Sequence, residues 1–311
     1  ILTLTYSQHS TWFMPGRSCT TNLLQYLNHV TSALDDGKCY DAVMFDYRRA
    51  FDRVPFKHML AKVEKHGIGG QILKWIRDWT CNRRQRVVLN GKFSEWMEVT
   101  SSVVQGSVLG PVLFAIYIND LDLAINCTNG VLLSKFADDT KMGKVISTPN
   151  DCLELQHAIN NLVSWSTRWG MELHPDKCTV IHFGKNNPKF IYDINGVKVN
   201  ESENVRDLGI LISNNSSQSP HINNVTKKAH VVLSQIKRTF VHRDDIVFPK
   251  IYQAYVRPLL EYAVEVWNPM KIEDVKQIEK VQQRAMRLVR SQSYESYEQR
   301  LKNLGMTTLE E

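Results

Sequence analysis

Apolar residues recur along this chain at two spacings, and the spacings predict its elements. Leu23, Leu24, Leu27, Val30 and Leu34 fall on one stripe of a helix from Thr20 to Leu34. Tyr40-Asp41-Ala42-Val43-Met44-Phe45-Asp46-Tyr47 is an apolar run of strand length that closes on an acidic residue. Pro55 suits a helix start, and Met59, Leu60 and Val63 mark the inward side of a helix from Phe56 to His66. Gly67-Ile68-Gly69-Gly70 breaks it, and a second short helix covers Gln71 to Trp79. Two strand-like runs, Arg84 to Leu89 and Phe93 to Val99, flank Asn90-Gly91, a strong hairpin turn.

Gln105-Gly106-Ser107 reads as a flexible loop, and Pro111 starts a helix through Leu123 whose buried side carries Val112, Leu113, Ile116 and Tyr117. From Val131 to Val145 two short strands meet at a tight turn, Ala137-Asp138-Asp139. An amphipathic helix then runs from Asp151 to Trp169. Further strands are expected at Thr179 to Phe183, around Asn195-Gly196 within Phe190 to Val199, and at Leu208 to Ile212. From about Ser217 the pattern is helical only, and Asn214-Asn215-Ser216-Ser217 is the candidate hinge between two lobes. Strands mixed with crossing helices predict an α+β layer, an antiparallel sheet with helices on one face.

Charge adds chemistry to this outline. Asp138 and Asp139 are adjacent at the tip of a hairpin, where crowded carboxylates repel and one pKa rises unless solvent or a divalent cation intervenes. If the strand ending at Asp46 lies beside that hairpin, three carboxylates meet at one sheet edge. Hard oxygen ligands of that kind suit Mg²⁺ and leave positions for phosphate oxygens. Asp52, just ahead of Pro55, reads as a helix cap.

Composition bounds the answer without deciding it. A chain of 311 residues, 43% hydrophobic and 23% charged, is expected to form two globular lobes, and no apolar run is long enough to span a bilayer. The six cysteines (Cys19, Cys39, Cys81, Cys127, Cys152, Cys178) show no zinc spacing and read as reduced thiols of an intracellular protein. The glycosylation patterns at Asn126 and Asn224 then read as accidents. Net charge is +6, mildly basic. Placement says more: Arg83, Arg84 and Arg86 cluster before a strand, and Lys276, Lys280, Arg284 and Arg287 line one face of a helix. A solvated helix face is the plain alternative for those four.

Three segments in order carry a resemblance. Phe45-Asp46 with Ala50-Phe51-Asp52, then Gln105-Gly106-Ser107-Val108-Leu109-Gly110-Pro111, then Phe136-Ala137-Asp138-Asp139, look like motifs A, B and C of a reverse transcriptase. More narrowly, from about Gln8 onward the chain resembles non-LTR (LINE-type) retrotransposon polymerases of the jockey-like group. It departs from them where Ser10-Thr11-Trp12 separates Gln8-His9 from Phe13, in place of a single glycine.

The resemblance implies a right-hand polymerase: a remnant of the fingers at 1–35, a palm at 36–212 and a helical thumb at 213–311. It implies RNA-directed DNA synthesis with Mg²⁺, or Mn²⁺ in its place, on an RNA template and a DNA primer from deoxynucleoside triphosphates. Two-metal nucleotidyl transfer would take Asp46, Asp138 and Asp139 as catalytic metal ligands. Lys177 matches the motif D lysine, which protonates or neutralises the leaving pyrophosphate, although a plain surface lysine is the competing account. Phe51 takes the place of the steric gate beneath the sugar, with core packing as its competitor. Gln105 and Gly106 match the loop over the templating base pair, Leu208-Gly209 resembles the primer-grip turn, and the Lys276–Arg287 face would touch the duplex backbone. Such an enzyme is expected in the nucleus at its integration site and in the cytoplasm as a ribonucleoprotein. The family's triphosphate-contacting finger residues precede Gln8, so 1–311 alone is expected to bind duplex weakly and extend primers little or not at all. A non-catalytic nucleic-acid-binding remnant and a ribonuclease H-type nuclease remain rival readings.

Overall fold

Six of the seven residues of Cys39–Phe45 are buried, so this strand is covered on both faces, which is why its apolar run does not alternate. The structure, a computed structural model, describes residues 16–125, 130–292 and 294–310. The Gln8-His9-to-Phe13 motif and the Asn126-Cys127-Thr128 pattern lie outside the described residues. In chain order the strands are β1 (Cys39–Phe45), the two-residue β2 (Arg84–Gln85), β3 (Val88–Leu89), β4 (Lys92–Phe93) and β5 (Met97–Glu98), then β6 (Val131–Phe136), β7 (Asp139–Ile146) and β8 (Thr179–Phe183). Short β9 (Asp193–Ile194), β10 (Val197–Lys198), β11 (Asn200–Glu201), β12 (Asn204–Asp207) and β13 (Ile210–Ser213) follow.

The main sheet has the order β11-β8-β1-β7-β6. β1 pairs antiparallel with both β7 and β8, β6 with β7 antiparallel, and only β11 joins parallel. Helix Cys19–Asp35 is opened by a reciprocal cap between Ser18 and Thr21. Helix Pro149–Trp169 begins with a Thr148–Asp151 capping box and ends on Gly170 at φ 70°, a left-handed stop suited to glycine. One apolar core joins β1, β6, β7 and β8 to residues of helices Phe56–Lys65, Gly70–Thr80, Leu109–Ile118 and Pro149–Trp169.

The chain divides into two compact units, 1–203 and 204–311. This boundary precedes the expected break at 212–213. Hairpin β12–β13 therefore belongs to the second unit, and the Asn214–Ser217 stretch connects that hairpin to helix Ser219–Thr239 within the unit instead of hinging two lobes. Leu208-Gly209 is the turn of the hairpin, as the resemblance implied, and the strand expected from Leu208 starts at Ile210 instead: both turn residues have positive φ, and Tyr262 Oη donates to the Leu208 carbonyl at 3.0 Å.

The helix expected from Pro111 to Leu123 is two helices, Leu109–Ile118 and Leu121–Ile125. The break falls at Asn119-Asp120, where the Asp120 carboxylate accepts from the buried Lys62 ammonium at 2.6 Å and from Trp165 Nε1 at 3.0 Å. Lys62 also donates to the Tyr117 carbonyl, and its Nζ lies 3.7 Å from the Trp169 ring centroid. Burial lowers its pKa to about 8 even with Asp120 opposing the shift.

A second buried charge sits in the middle of β1. Asp41 is 0% exposed, opposite His182 in the β1–β8 register. Its carboxylate lies 2.7 Å from His182 Nδ1 and accepts from Asn187 Nδ2 and Tyr192 Oη, each also at 2.7 Å. Alternation along the sequence does not signal this group, because its partners lie about 140 residues or more away.

Packing across β1 and β7 leaves no room at Gly143. A Cβ there would meet the Tyr40 ring at 2.4 Å. Gly143→Ala should destabilise the first unit by about 1–3 kcal/mol through overpacking. Urea unfolding checks this; an unchanged midpoint would mean that Tyr40 moves aside without cost.

Candidate active site

Antiparallel pairing brings the C-terminal end of β1, the β6–β7 turn and the N-terminal end of β8 to one end of the sheet. The last β1–β7 pair is Phe45–Thr140, which sets Asp46 level with Asp139 and one residue from Asp138 in the turn. The turn itself is two residues, with Ala137 at φ 55°. Asp46 is held by its backbone: its N–H points to Cys178 Sγ at 3.5 Å, and its carbonyl accepts from His174 N–H at 2.8 Å.

Asp138 is half-buried, and its carboxyl pKa is raised, first by that burial and then by the negative charge of Asp46. The two carboxylates therefore sense each other. Asp139 is exposed beside the buried Thr140. Among the described residues, no group of three His, Cys, Asp or Glu side chains forms a metal-holding cluster. Asp46 and Asp138 interact electrostatically, and Asp139, the third acidic residue of the expected set, follows them at the start of β7. Two hard-oxygen donors of like charge in half-buried positions fit a divalent cation, which would relieve their repulsion.

The thiol of Cys178 escaped the sequence reading. Burial pushes its pKa up to about 11, with Asp46 adding to the rise, so it stays protonated beside the site. Glu172 was missed as well: it pairs with Arg48 at 3.3 Å and with Arg53, while its carbonyl accepts from Arg48 N–H. These bonds tie the turn after Asp46 to the segment leading to Lys177. Lys177 ends a short 3-10 turn at the same end of the sheet, with an exposed side chain.

The loop Gln105-Gly106 is attached to the same turn. Val103 N–H donates to the Phe51 carbonyl at 2.8 Å, Ser101 Oγ to the Asp52 carbonyl at 2.8 Å, and Gln105 Nε2 to the Asp52 carboxylate at 2.7 Å. Asp52 is therefore a tether for the loop and not a helix cap; helix Phe56–Lys65 has Pro55 at its cap position and no side-chain cap bond. Gly106 has φ 77° and open space where a Cβ would stand. Gly110 is needed for a different reason, since a Cβ there would meet the Val104 carbonyl oxygen at 2.5 Å. Phe51 is half-buried and stacks on Phe114 with ring centroids 4.3 Å apart, so part of its surface serves the core. In the second unit, Lys276, Lys280 and Arg284 on helix Ile272–Met286, and Arg287 at its C-cap, are all exposed, while Ile278, Val281 and Ala285 are buried.

This geometry agrees with comparisons to known proteins. Residues 2–212 match the family model of the reverse transcriptase (RNA-dependent DNA polymerase). The chain belongs to the reverse transcriptase family. It is 24% identical to the probable RNA-directed DNA polymerase from transposon BS of Drosophila melanogaster, over 90% of this chain and 32% of that protein. It is 25% identical to the RNA-directed DNA polymerase from mobile element jockey of Drosophila funebris, over 79% of this chain and 28% of that protein. The chain thus spans about a third of the length of the curated relatives it matches, and these relatives place it with the jockey-like, non-LTR retrotransposon members. Its fold is similar to apo telomerase from Candida tropicalis (TM-score 0.53, 9% identity, 95% of this chain and 48% of that one). It is also similar to telomerase from Candida albicans in complex with a TWJ fragment of telomeric RNA (TM-score 0.52, 14% identity, 97% of this chain and 54% of that one).

The raised pKa of Asp138 gives a stability test. A carboxyl whose pKa rises on folding favours the fold while protonated. That contribution is complete below its ordinary value of 3.8 and is lost as pH climbs through the raised value. Asp138→Asn should therefore raise the unfolding midpoint at pH 7 in chelator by about 2 °C or more, the gain shrinking as pH falls toward 3.8. Millimolar Mg²⁺ should stabilise the parent chain more than the variant. Equal midpoints in chelator at pH 7 would remove the repulsion between Asp46 and Asp138 from the account.

Proposed function

We propose that this chain is the catalytic part of an RNA-templated DNA polymerase of a non-LTR retrotransposon, the first unit serving as palm and the helical part of the second as thumb. The observation that carries it is the Asp46–Asp138 pair at the sheet end, beside a Gln105-Gly106 loop tethered to Asp52. In the reaction a primer 3′-hydroxyl attacks the α-phosphorus of a deoxynucleoside triphosphate, and the bond to pyrophosphate breaks. A pair of Mg²⁺ ions held by Asp46 and Asp138, with Asp139 the further carboxylate at the turn, would acidify the attacking hydroxyl and offset charge on the phosphates.

The remaining roles fall to the chain's own groups. The Gly106 loop lets a base pair approach backbone closely, and the tether to Asp52 fixes where that loop stands. Lys177 supplies a proton or positive charge to the departing pyrophosphate. The exposed cations of 276–287 hold the duplex by its phosphates without reading sequence. Phe51, half-buried and stacked on Phe114, lies after Asp46 where its bulk would crowd a 2′-hydroxyl on the incoming sugar.

Primer extension on an RNA template by the full-length gene product tests the reading. Extension should need a divalent cation and fall by several orders of magnitude in Asp138→Asn. Equal extension by Asp138→Asn would overturn it. For Phe51→Val, the kcat/KM preference for deoxyribonucleotide over ribonucleotide should drop by at least about tenfold. A preference that does not change in an active, folded variant would leave Phe51 as a packing residue alone.

A further inference from the structure

Every residue from 84 to 98 is exposed, although the segment is rich in apolar side chains. It forms a narrow two-stranded ribbon: β2 pairs with β5, β3 with β4, and Asn90-Gly91 closes the tip with both residues at positive φ. A two-stranded ribbon with solvent on both sides has little of its own to hold it together. Phe93 is 59% exposed and Trp96 55%. The Arg86 guanidinium carbon lies over both rings, 4.1 Å from the Phe93 ring centroid and 4.5 Å from that of Trp96. Exposed apolar residues clustered in this way, rather than scattered singly, point to a binding surface.

The arrangement of ring, cation and ring selects among occupants. Exposed π-faces accept stacked bases of any sequence, and a guanidinium held over rings still has N–H donors to offer phosphate oxygens. Charge agrees. Arg84 lies opposite Glu98 in register, and of the remaining charges Arg86 and Lys92 outnumber Glu95. Chain continuity agrees as well. Seven residues lead from Glu98 to Gln105, a span of at most about 24 Å, and Gln105 is bonded to Asp52 of the turn that follows Asp46. A single strand lying on the ribbon is therefore on the unit that carries the Asp46–Asp138 pair, within a short chain length of its loop.

We propose that the 84–98 ribbon is a stacking platform for single-stranded nucleic acid, with bases on Phe93 and Trp96 and the strand's phosphates near Arg86. That the strand is template RNA rests on the polymerase reading above; the platform itself does not.

Fluorescence anisotropy of a labelled, unstructured 20-mer tests it on the purified chain, with oligo(U) and oligo(dT) as separate arms. Trp96→Ala and Phe93→Ala should each weaken single-strand binding at least about fivefold, and Arg86→Gln should flatten its salt dependence. All three side chains are exposed, so thermal midpoints should match the parent's. A loss confined to oligo(U) identifies RNA as the strand, and a loss in both arms identifies single strands in general; either supports the platform. In the full-length gene product, Asp138→Asn should keep single-strand binding while losing primer extension, so failure of the platform and failure of the polymerase reading are separable. Unchanged affinity in Trp96→Ala, or no binding by the parent chain, overturns the proposal. So does a concentration-dependent dimer of the parent that Trp96→Ala dissolves without altering oligonucleotide affinity, since the ribbon would then be a contact between copies.

Discussion

A carboxylate with no access to water, Asp41, fixes the register on which the rest of the first unit depends. Its three partners come from β8 and the segment after it, so β1 can meet β8 in one alignment only. Sliding β1 by two residues would keep its apolar faces inward yet strand a buried charge, at a cost of several kcal/mol. The same alignment sets Asp46 over Cys178 and level with the β6–β7 turn. Catalytic geometry at one end of the strand is thus enforced by a polar knot five residues earlier.

Around that anchored strand the site is assembled by short ties between distant segments. Asp52 and Phe51 hold the 101–105 stretch, Glu172 holds Arg48 and Arg53, and His174 holds the Asp46 carbonyl. Most are exposed, and exposed ion pairs contribute little each. Their value lies in number and placement, because each limits a different degree of freedom of one turn. The pair Asp46–Asp138, by contrast, is unfavourable by itself. It persists because β1, β6 and β7 are set by packing that the carboxylates do not supply.

Elements with strong local signals were legible in the sequence. Asn90-Gly91 and Asn195-Gly196 close hairpins as their residue types require, and the stripe from Leu23 to Leu34 became helix Cys19–Asp35. That Asp46 and Asp138 come to one end of the sheet was legible from strand placement and motif order together. What escaped depends on contacts across the fold. Nothing near Asp120 announces that it will leave a helix to meet Lys62, fifty-eight positions earlier. Asp52 stands where caps stand, and only the arrival of Gln105 gives it another partner. The turn at Leu208-Gly209 was legible, but the strand before it, Asn204–Asp207, is short and mostly polar and gave no strand signal, so hairpin β12–β13 was not read as a unit.

The sheet order has a consequence for how the chain folds as it is made. β1 is complete at residue 45, yet its neighbours β7 and β8 begin at 139 and 179. At about 5–20 residues per second, the central strand leaves the ribosome roughly 5–20 seconds before its first pairing partner. For that interval Tyr40, Val43 and Phe45 have only local cover, and the carboxylate of Asp41 remains in water, opposing any early burial of the strand. A charge that later locks the register thus also opposes collapse or mispairing of the nascent strand before β7 and β8 arrive.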